Sequence, residues 1–347
     1  MYNVHCMYDI QRSHTEDEQQ SMQAYATDRY GGPEVLRLSE IARPKPAQDQ
    51  VLIRVRATSV NPLDWHELRG EPWLMRMGKG LRRPNDGRRG NDLAGLVVAV
   101  GDGVTEITPG TEVIGTGIGA FAEYAVARPT SLAAAPTTID PAEAAALPIA
   151  GITALQAVRA ARIETGARVL IIGASGGVGT CAVQIAAASG GIVTGVCSTS
   201  NLDLVRSLGA SEVLDYTTTQ LDGLTDRFDA CIDCVGNLPV KRCKRLLVKG
   251  GRYIAIGAPD GTKLLGPLTR LVHAKLAFSI GGRRGTVLFA SIGHNDLSEL
   301  VSMVDRGVLR PVIDRVVPFA ALADGIRHVE TKRTRGKVVV QVASFEG

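Results

Sequence analysis

The sequence has no long apolar run. Each hydrophobic stretch is broken by Gly, Pro or charge well short of the ~20 residues that a membrane-spanning helix needs. A helical span is therefore excluded, and a membrane is not expected as a partner. Charge imbalance is missing too: 39 basic against 35 acidic side chains leave a formal net charge of +4 on 347 residues. Nothing in the bulk asks for nucleic acid or an anionic surface. Cysteine is sparse and unpatterned. Cys6, Cys181, Cys197, Cys231, Cys234 and Cys243 form neither a disulfide framework nor a paired zinc spacing. That usage suits a reducing compartment, and a cytoplasmic location is the expectation. Residues 1–21 lack both the apolar core of a secretion signal and the Arg-rich amphipathic pattern of a transit peptide. They read as a polar, disordered extension, with the globular part beginning near Met22.

What is present is a glycine turn in a telling place. The apolar run Val169, Leu170, Ile171, Ile172 leads into Gly173-Ala174-Ser175-Gly176-Gly177-Val178-Gly179. A helix follows from Gly177 to Ser189, with Val178, Cys181, Ile185 and Ala186 on one apolar face. Strand, tight turn and helix aim backbone N–H groups and a helix dipole at a pyrophosphate, and a Cβ at Gly176 or Gly177 would obstruct its approach. The flanking elements raise this above a bare glycine triplet.

The chain is too long for one ordinary core. From Gln23 to about Pro136 it is β-rich, with strands over 23–27, 51–59, 93–100, 113–116 and 123–127 between Gly and Pro turns, which suggests a small irregular barrel. At Pro141 the texture turns to alanine-rich helix, then to a βα alternation that predicts a parallel, doubly wound sheet. Its strands fall at 169–172, 192–197, 212–215, 228–235 and 251–256, with 286–292 as a candidate sixth. Helices at 297–306 and 320–330 and strands at 312–317 and 337–342 come last, and the terminal strand is expected to rejoin the first unit.

Several ordered segments carry a family resemblance. They are Ser59-Val60-Asn61-Pro62-Leu63-Asp64, Gly90-Asn91-Asp92-Leu93-Ala94-Gly95, Gly119-Ala120-Phe121-Ala122-Glu123-Tyr124, the 174–179 turn, Arg206-Ser207-Leu208-Gly209-Ala210 and Arg335-Gly336-Lys337-Val338-Val339. From Gln23 to Val342 the chain resembles the zinc-free quinone oxidoreductase (ζ-crystallin-like) branch of the medium-chain dehydrogenases/reductases. The resemblance implies an α/β fold: a Rossmann doubly wound parallel sheet plus a GroES-like β-barrel substrate domain. It places the substrate domain at 22–140, completed by 293–347, and the cofactor domain at 141–292, with the active site between them. Where zinc-dependent relatives carry their catalytic ligands, this chain has Asn61, Asn91 and Ile149, which supply neither thiolate nor imidazole. No metal is expected. Cys231 and Cys234, three residues apart in a strand, should face opposite sides, as core rather than a redox pair.

The resemblance implies NADPH-dependent hydride transfer to a quinone or related α,β-unsaturated carbonyl. Asn61 is the candidate that polarises the acceptor, with Asp64 and Tyr124 as candidates for proton handling. Asp64 and Asp92 also read as carboxylates that hydrogen-bond backbone. Cofactor candidates are Thr153 near the nicotinamide, Ser175, Gly176, Gly177 and Val178 at the pyrophosphate, and Ser198, Thr199 and Asn201 at the adenosine ribose. Tyr216 is placed beside the adenine, and Val235 and Gly257 line the strand ends. The second strand ends Val196-Cys197-Ser198-Thr199 without the acid that NAD-specific folds use on the ribose 2′-OH, so NADPH is the expected cofactor. Arg76, Lys79, Arg82, Arg83, Arg88 and Arg89 crowd one loop without interleaved aromatics, and nucleic acid is not an expected partner. The apolar 286–292 segment, as an open sheet edge, suggests a homodimer. An enoyl or alkenal reductase, and a non-catalytic NADPH- or nucleic-acid-binding protein, stay open as alternatives.

Overall fold

The structure is a computed structural model and describes residues 21–73, 76–219, 224, 227–256, 278 and 282–342. The expected extension (apart from Ser21), Cys6 and Gly257 lie outside the described residues. Strand β1 (Ser21–Ala26) pairs antiparallel with β2 (Arg37–Ala42). The long β3 (Val51–Val60) is followed by α1 (Pro62–Arg69), α2 (Arg76–Lys79), β4 (Asp92–Val100), β5 (Glu112–Thr116), β6 (Tyr124–Ala127) and β7 (Leu132–Ala134). Helices α3 (Pro141–Ala145) and α4 (Pro148–Ala161) lead into β8 (Arg168–Ile172), α5 (Gly177–Ala188), β9 (Ile192–Cys197), α6 (Leu202–Ser207) and β10 (Glu212–Asp215). Then come β11 (Phe228–Asp233), α7 (Val240–Arg245), β12 (Leu247–Ala255), β13 (Arg284–Val287), α8 (His294–Asp305), β14 (Ile313–Pro318), α9 (Leu322–Glu330) and β15 (Lys337–Gln341).

Six parallel strands form one sheet in the order β10-β9-β8-β11-β12-β13. Chain direction across this doubly wound sheet reverses between β8 and β11, which opens a crevice at their carboxyl ends. The strand period of two explains its two cores. Val169 and Ile171 of β8, with Ile232 and Ile254, point into a core shared with α4, α5 and α8. Leu170 and Ile172, with Cys231 and Tyr253, point into the opposite one. Each such aliphatic side chain contributes about 1.5–3 kcal/mol on burial. Cys231 sits in the second core while Cys234 packs against the first, on opposite faces as expected.

The other main sheet runs β14-β15-β3-β4-β5-β7, with β6 also on β3. Strand β15 lies antiparallel to β3, Val338 opposite Val60, so the terminal strand does rejoin the first unit. Three expectations need correction. The sixth strand stops at Val287, the partner of Ala255 where β12 ends; the Leu288 N–H makes one last bond to the Ala255 carbonyl at 2.9 Å, and the ladder goes no further. Strand β12 starts at Leu247, reaching back to pair with Phe228. Helix α5 is buried on nearly all sides rather than along one stripe, because α4 covers the face a surface helix would expose.

Candidate active site

Strand β8 delivers the chain to Gly173, whose φ of +79° suits glycine. A Cβ added at Gly179 would lie 2.0 Å from the Gly173 carbonyl oxygen, so the turn itself demands that glycine. At Gly177 a Cβ would meet Lys337 Cδ at 2.8 Å. Gly176 differs: its Cβ would meet nothing nearer than 3.5 Å, so protein packing does not require the glycine, and the space above it suits a ligand. Gly176 is also the N-cap of α5 and offers no side-chain cap. The first-turn N–H groups, those of Gly177 and Val178 among them, lack intrahelical acceptors, which is what an anion at a helix N-terminus uses. These residues fit a dinucleotide pyrophosphate.

Past the end of β9, Asn201 Nδ2 donates to Ser175 Oγ at 3.1 Å and to Ser198 Oγ at 3.2 Å, bringing three of the expected residues together. Ser200 Oγ lies 3.4 Å from Ser198 Oγ. Thr199 does not join them as a donor. Its hydroxyl donates to Asp215, which also accepts from the Thr217 N–H at 2.8 Å and hydroxyl at 2.7 Å. The Thr199 and Thr217 hydroxyls hold the Asp215 carboxyl below the usual carboxylate range. An acid is therefore present near this strand end, entering from β10, where Asp215 pairs with Cys197. Sequence reading looked only along β9; an acid closing the next parallel strand was the available signal. Tyr216 is exposed just beyond, its N–H donating to the Cys197 carbonyl at 3.1 Å. Val235 packs over the turn, its Cγ2 2.7 Å from where a Gly173 Cβ would be.

In the other unit, β3 ends at Val60 and Asn61 follows as the N-cap of α1, where the Asp64 carboxylate accepts from the Asn61 N–H at 2.7 Å. Asn91 Nδ2 donates to the other Asp64 oxygen at 2.8 Å. Asp64 is buried, and burial pushes its carboxyl up to about 7, helped by the charges of Asp92 and Glu67 against the pull of the Asn61 and Asn91 donors. Asp92, fully buried at the start of β4, is a hub. It accepts from Ser59 Oγ and Asn61 Nδ2 at 2.8 Å each, and from the Ile149 N–H at 3.1 Å, an orphan donor of the first turn of α4. Lys337, only 5% exposed, completes the cluster: Nζ donates to Asn61 Oδ1, to the Val60 carbonyl at 3.2 Å and to Asp92 at 3.4 Å. One turn along α4, Thr153 Oγ1 donates to the Ile149 carbonyl at 2.6 Å. Sequence reading saw Lys337 only as part of a motif; a lone lysine opening the run Val338–Val340 was the signal for a buried cation.

Tyr124 stands apart from this cluster. It pairs with Arg54, seven residues before Asn61 along β3, which at ~3.3 Å per residue puts it on the order of 20 Å away. Its ring packs under the Arg43 guanidinium, 3.8 Å from centroid to Cζ. That register sets Tyr124 away from the Asn61–Asp64–Asp92 cluster. Burial pushes the Cys181 and Cys197 thiols up to about 11, and those of Cys231 and Cys234 up as well. Among the described residues no three His, Cys, Asp or Glu side chains are grouped to hold a metal. The arginine loop is largely self-supporting. Arg76 caps the Gly70 and Arg69 carbonyls, Arg88 pairs with Asp86, and Arg89 is buried against the Asp86 and Arg88 carbonyls; Arg82 and Arg83 are exposed.

Comparison with known proteins places this geometry. Residues 47–137 match the alcohol dehydrogenase GroES-like domain family, and residues 208–340 the zinc-binding dehydrogenase family. The chain is 32% identical over 340 residues to a chloroplast envelope quinone oxidoreductase homolog of Arabidopsis thaliana, covering 92% of this chain and 98% of the relative. It is 32% identical over 338 residues to an NADPH-dependent alkenal/one oxidoreductase, chloroplastic, of the same plant, covering 92% of this chain and 79% of the relative. The structure of the quinone oxidoreductase from Coxiella burnetii superposes with a TM-score of 0.83 at 29% identity, over 93% of this chain and 100% of that one. The chloroplast and mitochondrial names among the relatives overturn the expected cytoplasmic location.

Proposed function

The chain is an oxidoreductase of the medium-chain dehydrogenase/reductase superfamily, in its quinone oxidoreductase branch, and from that premise we propose that it reduces quinones or α,β-unsaturated carbonyls with NADPH and without zinc. One observation carries the reading. The glycine turn is joined to the Asn61–Asp64–Asp92 cluster through the entry to β15, where the Gly336 N–H donates to the Ser175 carbonyl at 2.9 Å and Lys337 reaches Asn61 and Asp92. A dinucleotide site and a dry polar cluster thus share one support. The same reading divides the chain into a substrate unit, 22–140 with 293–347, and a cofactor unit, 141–292.

When bound, a reduced nicotinamide supplies the hydride. The protein's part is to bind, orient and manage charge. Gly177 and Val178 amides would take the pyrophosphate, with Ser175 beside them. Ser198, Ser200 and Asn201 offer hydroxyls and an amide to a 2′-phosphate, while Asp215 is spent on Thr199 and Thr217, which supports NADPH over NADH. Thr153 stands on α4 one turn from the Asp92–Ile149 contact, suited to the nicotinamide end. Asn61 has one N–H on Asp92 and a second to offer an acceptor oxygen. Asp64, titrating near neutrality, can hold or release the proton that completes a reduced product. Asn61, Asn91 and Ile149 bring no thiolate or imidazole to the positions where zinc-dependent relatives hold the metal, which supports metal-free chemistry. Among the described residues β13 is paired on one side only, which supports a homodimer that continues the sheet.

The test follows loss of reduced-nicotinamide absorbance against a panel of quinones, enones and enoyl thioesters. Turnover with quinones or enones is expected. Tight NADPH binding with no turnover on any acceptor would instead make the chain a dinucleotide-binding protein.

A further inference from the structure

Lys337 has surroundings that packing does not explain. Its strand successors Val338, Val339 and Val340 are fully buried and apolar, and an apolar residue would fill its place as well. A buried ammonium is costly unless paired and hydrogen-bonded. Here all three N–H donors have acceptors, on Asn61, Val60 and Asp92. Together they set the Asn61 amide. Its oxygen faces the ammonium and its Nδ2 faces the Asp92 carboxylate at 2.8 Å. The flipped amide would set N–H against ammonium and oxygen against carboxylate, unfavourable at both ends.

The other end of the residue belongs to the dinucleotide turn. The Lys337 stem runs beneath Gly177, with Cδ 2.8 Å from where a Cβ on that residue would be. Gly336 forms a parallel bridge with Gly176. Gly336 also has a φ of +88°, and a Cβ there would sit 2.1 Å from the Val312 carbonyl oxygen, so the backbone entering β15 is held in one path. One side chain thus touches the residue that opens α5 and the amide that faces the acceptor.

We propose that Lys337 is a positioning residue that ties the dinucleotide turn to Asn61, so that occupation of the turn is transmitted to the Asn61 amide. It does not touch the acceptor, since its three donors are engaged; it acts through Asn61. The proposal rests on the cofactor reading above.

The test uses the whole protein. The Asn61 side-chain amide is observed by NMR, identified by its disappearance in Asn61→Ala, and followed during NADPH titration. In the unmodified protein the signal should move on saturation. In Lys337→Met the movement should be lost although NADPH still binds within about threefold of its normal constant. Lys337→Gln, neutral but still a donor, should keep part of the movement, and serves in place of Lys337→Met should that variant not fold. Kinetically, Lys337→Met should lower kcat on the order of tenfold, and should add little further loss in an Asn61→Ala background. Full movement of the signal in either Lys337 variant, or losses that multiply across the two sites, would overturn the proposal. Failure of the unmodified protein to turn over any acceptor overturns the function instead, and leaves the NMR result readable.

Discussion

Replacing Asp64 with Asn should flatten the dependence of stability on pH. Asp64 is 3% exposed, and its carboxyl is pushed from 3.8 to about 7, chiefly by burial. In the unfolded chain it ionises near its ordinary value. Between those limits the native protein keeps a proton that the unfolded chain has released, so native stability must fall as pH rises. The contribution is fully present below about pH 4 and is lost as pH passes through about 7. At about 1.4 kcal/mol per unit, the roughly three units between 3.8 and 7 set a ceiling of about 4 kcal/mol. Urea unfolding at intervals from about pH 5 to pH 8 measures this. Asp64→Asn should be destabilised by about 1–3 kcal/mol at the low end, because an amide presents N–H to donors on Asn61 or Asn91. Its stability should then lack the downward component, so the two curves converge with rising pH. Other titrating groups are common to both proteins and cancel. Parallel curves, or curves that diverge with pH, would refute the reasoning.

Four further outcomes are expected. NADPH should bind at least about tenfold more tightly than NADH, about 1.4 kcal/mol, and Ser198→Asp should narrow or invert that ratio; equal constants by cofactor fluorescence would count against the donor set at residues 198–201. Elemental analysis should find no stoichiometric zinc, and activity should survive a chelator; one tightly held zinc per chain would contradict the reading of Asn61, Asn91 and Ile149. Light scattering at micromolar concentration should give a dimer, and a monomer mass would remove the role given to the β13 edge. Asn61→Ala should lower kcat and kcat/KM together on the order of tenfold with the NADPH constant unchanged; a lowered melting temperature with normal turnover would reduce Asn61 to the cap of α1.

The sequence carried the architecture wherever a local pattern decides it. The run 169–172 and the glycine turn behind it are self-contained, and so were placed within a residue or so. Strand ends were less legible because pairing sets them: β13 stops where β12 runs out, which no property of Leu288–Ile292 announces. The glycine turn's geometry was readable for the same local reason, while Asp215 was missed because it reaches Thr199 across strands, 16 residues on. Asn61, Asp64 and Asp92 could be named from the resemblance, but their arrangement depends on Lys337, 276 residues away from Asn61. Tyr124 is the converse case: it lies inside a family segment, but pairing opposite Arg54 sets it away from Asn61, which the segment itself does not announce.

The pairing of β3 with β15 also has a consequence for biosynthesis. At about 5–20 residues per second, the ribosome needs on the order of 14–55 s to travel the 276 residues from Asn61 to Lys337. The nascent chain can assemble its six-stranded parallel sheet in that interval, since β13 is made before β15. The Ala57–Val60 stretch of β3, beyond the part that β6 covers, meanwhile lacks its β15 partner, and Asp92 waits without its ammonium partner. Early emergence and late completion make β3 the segment of the nascent chain that a holding chaperone has most reason to cover.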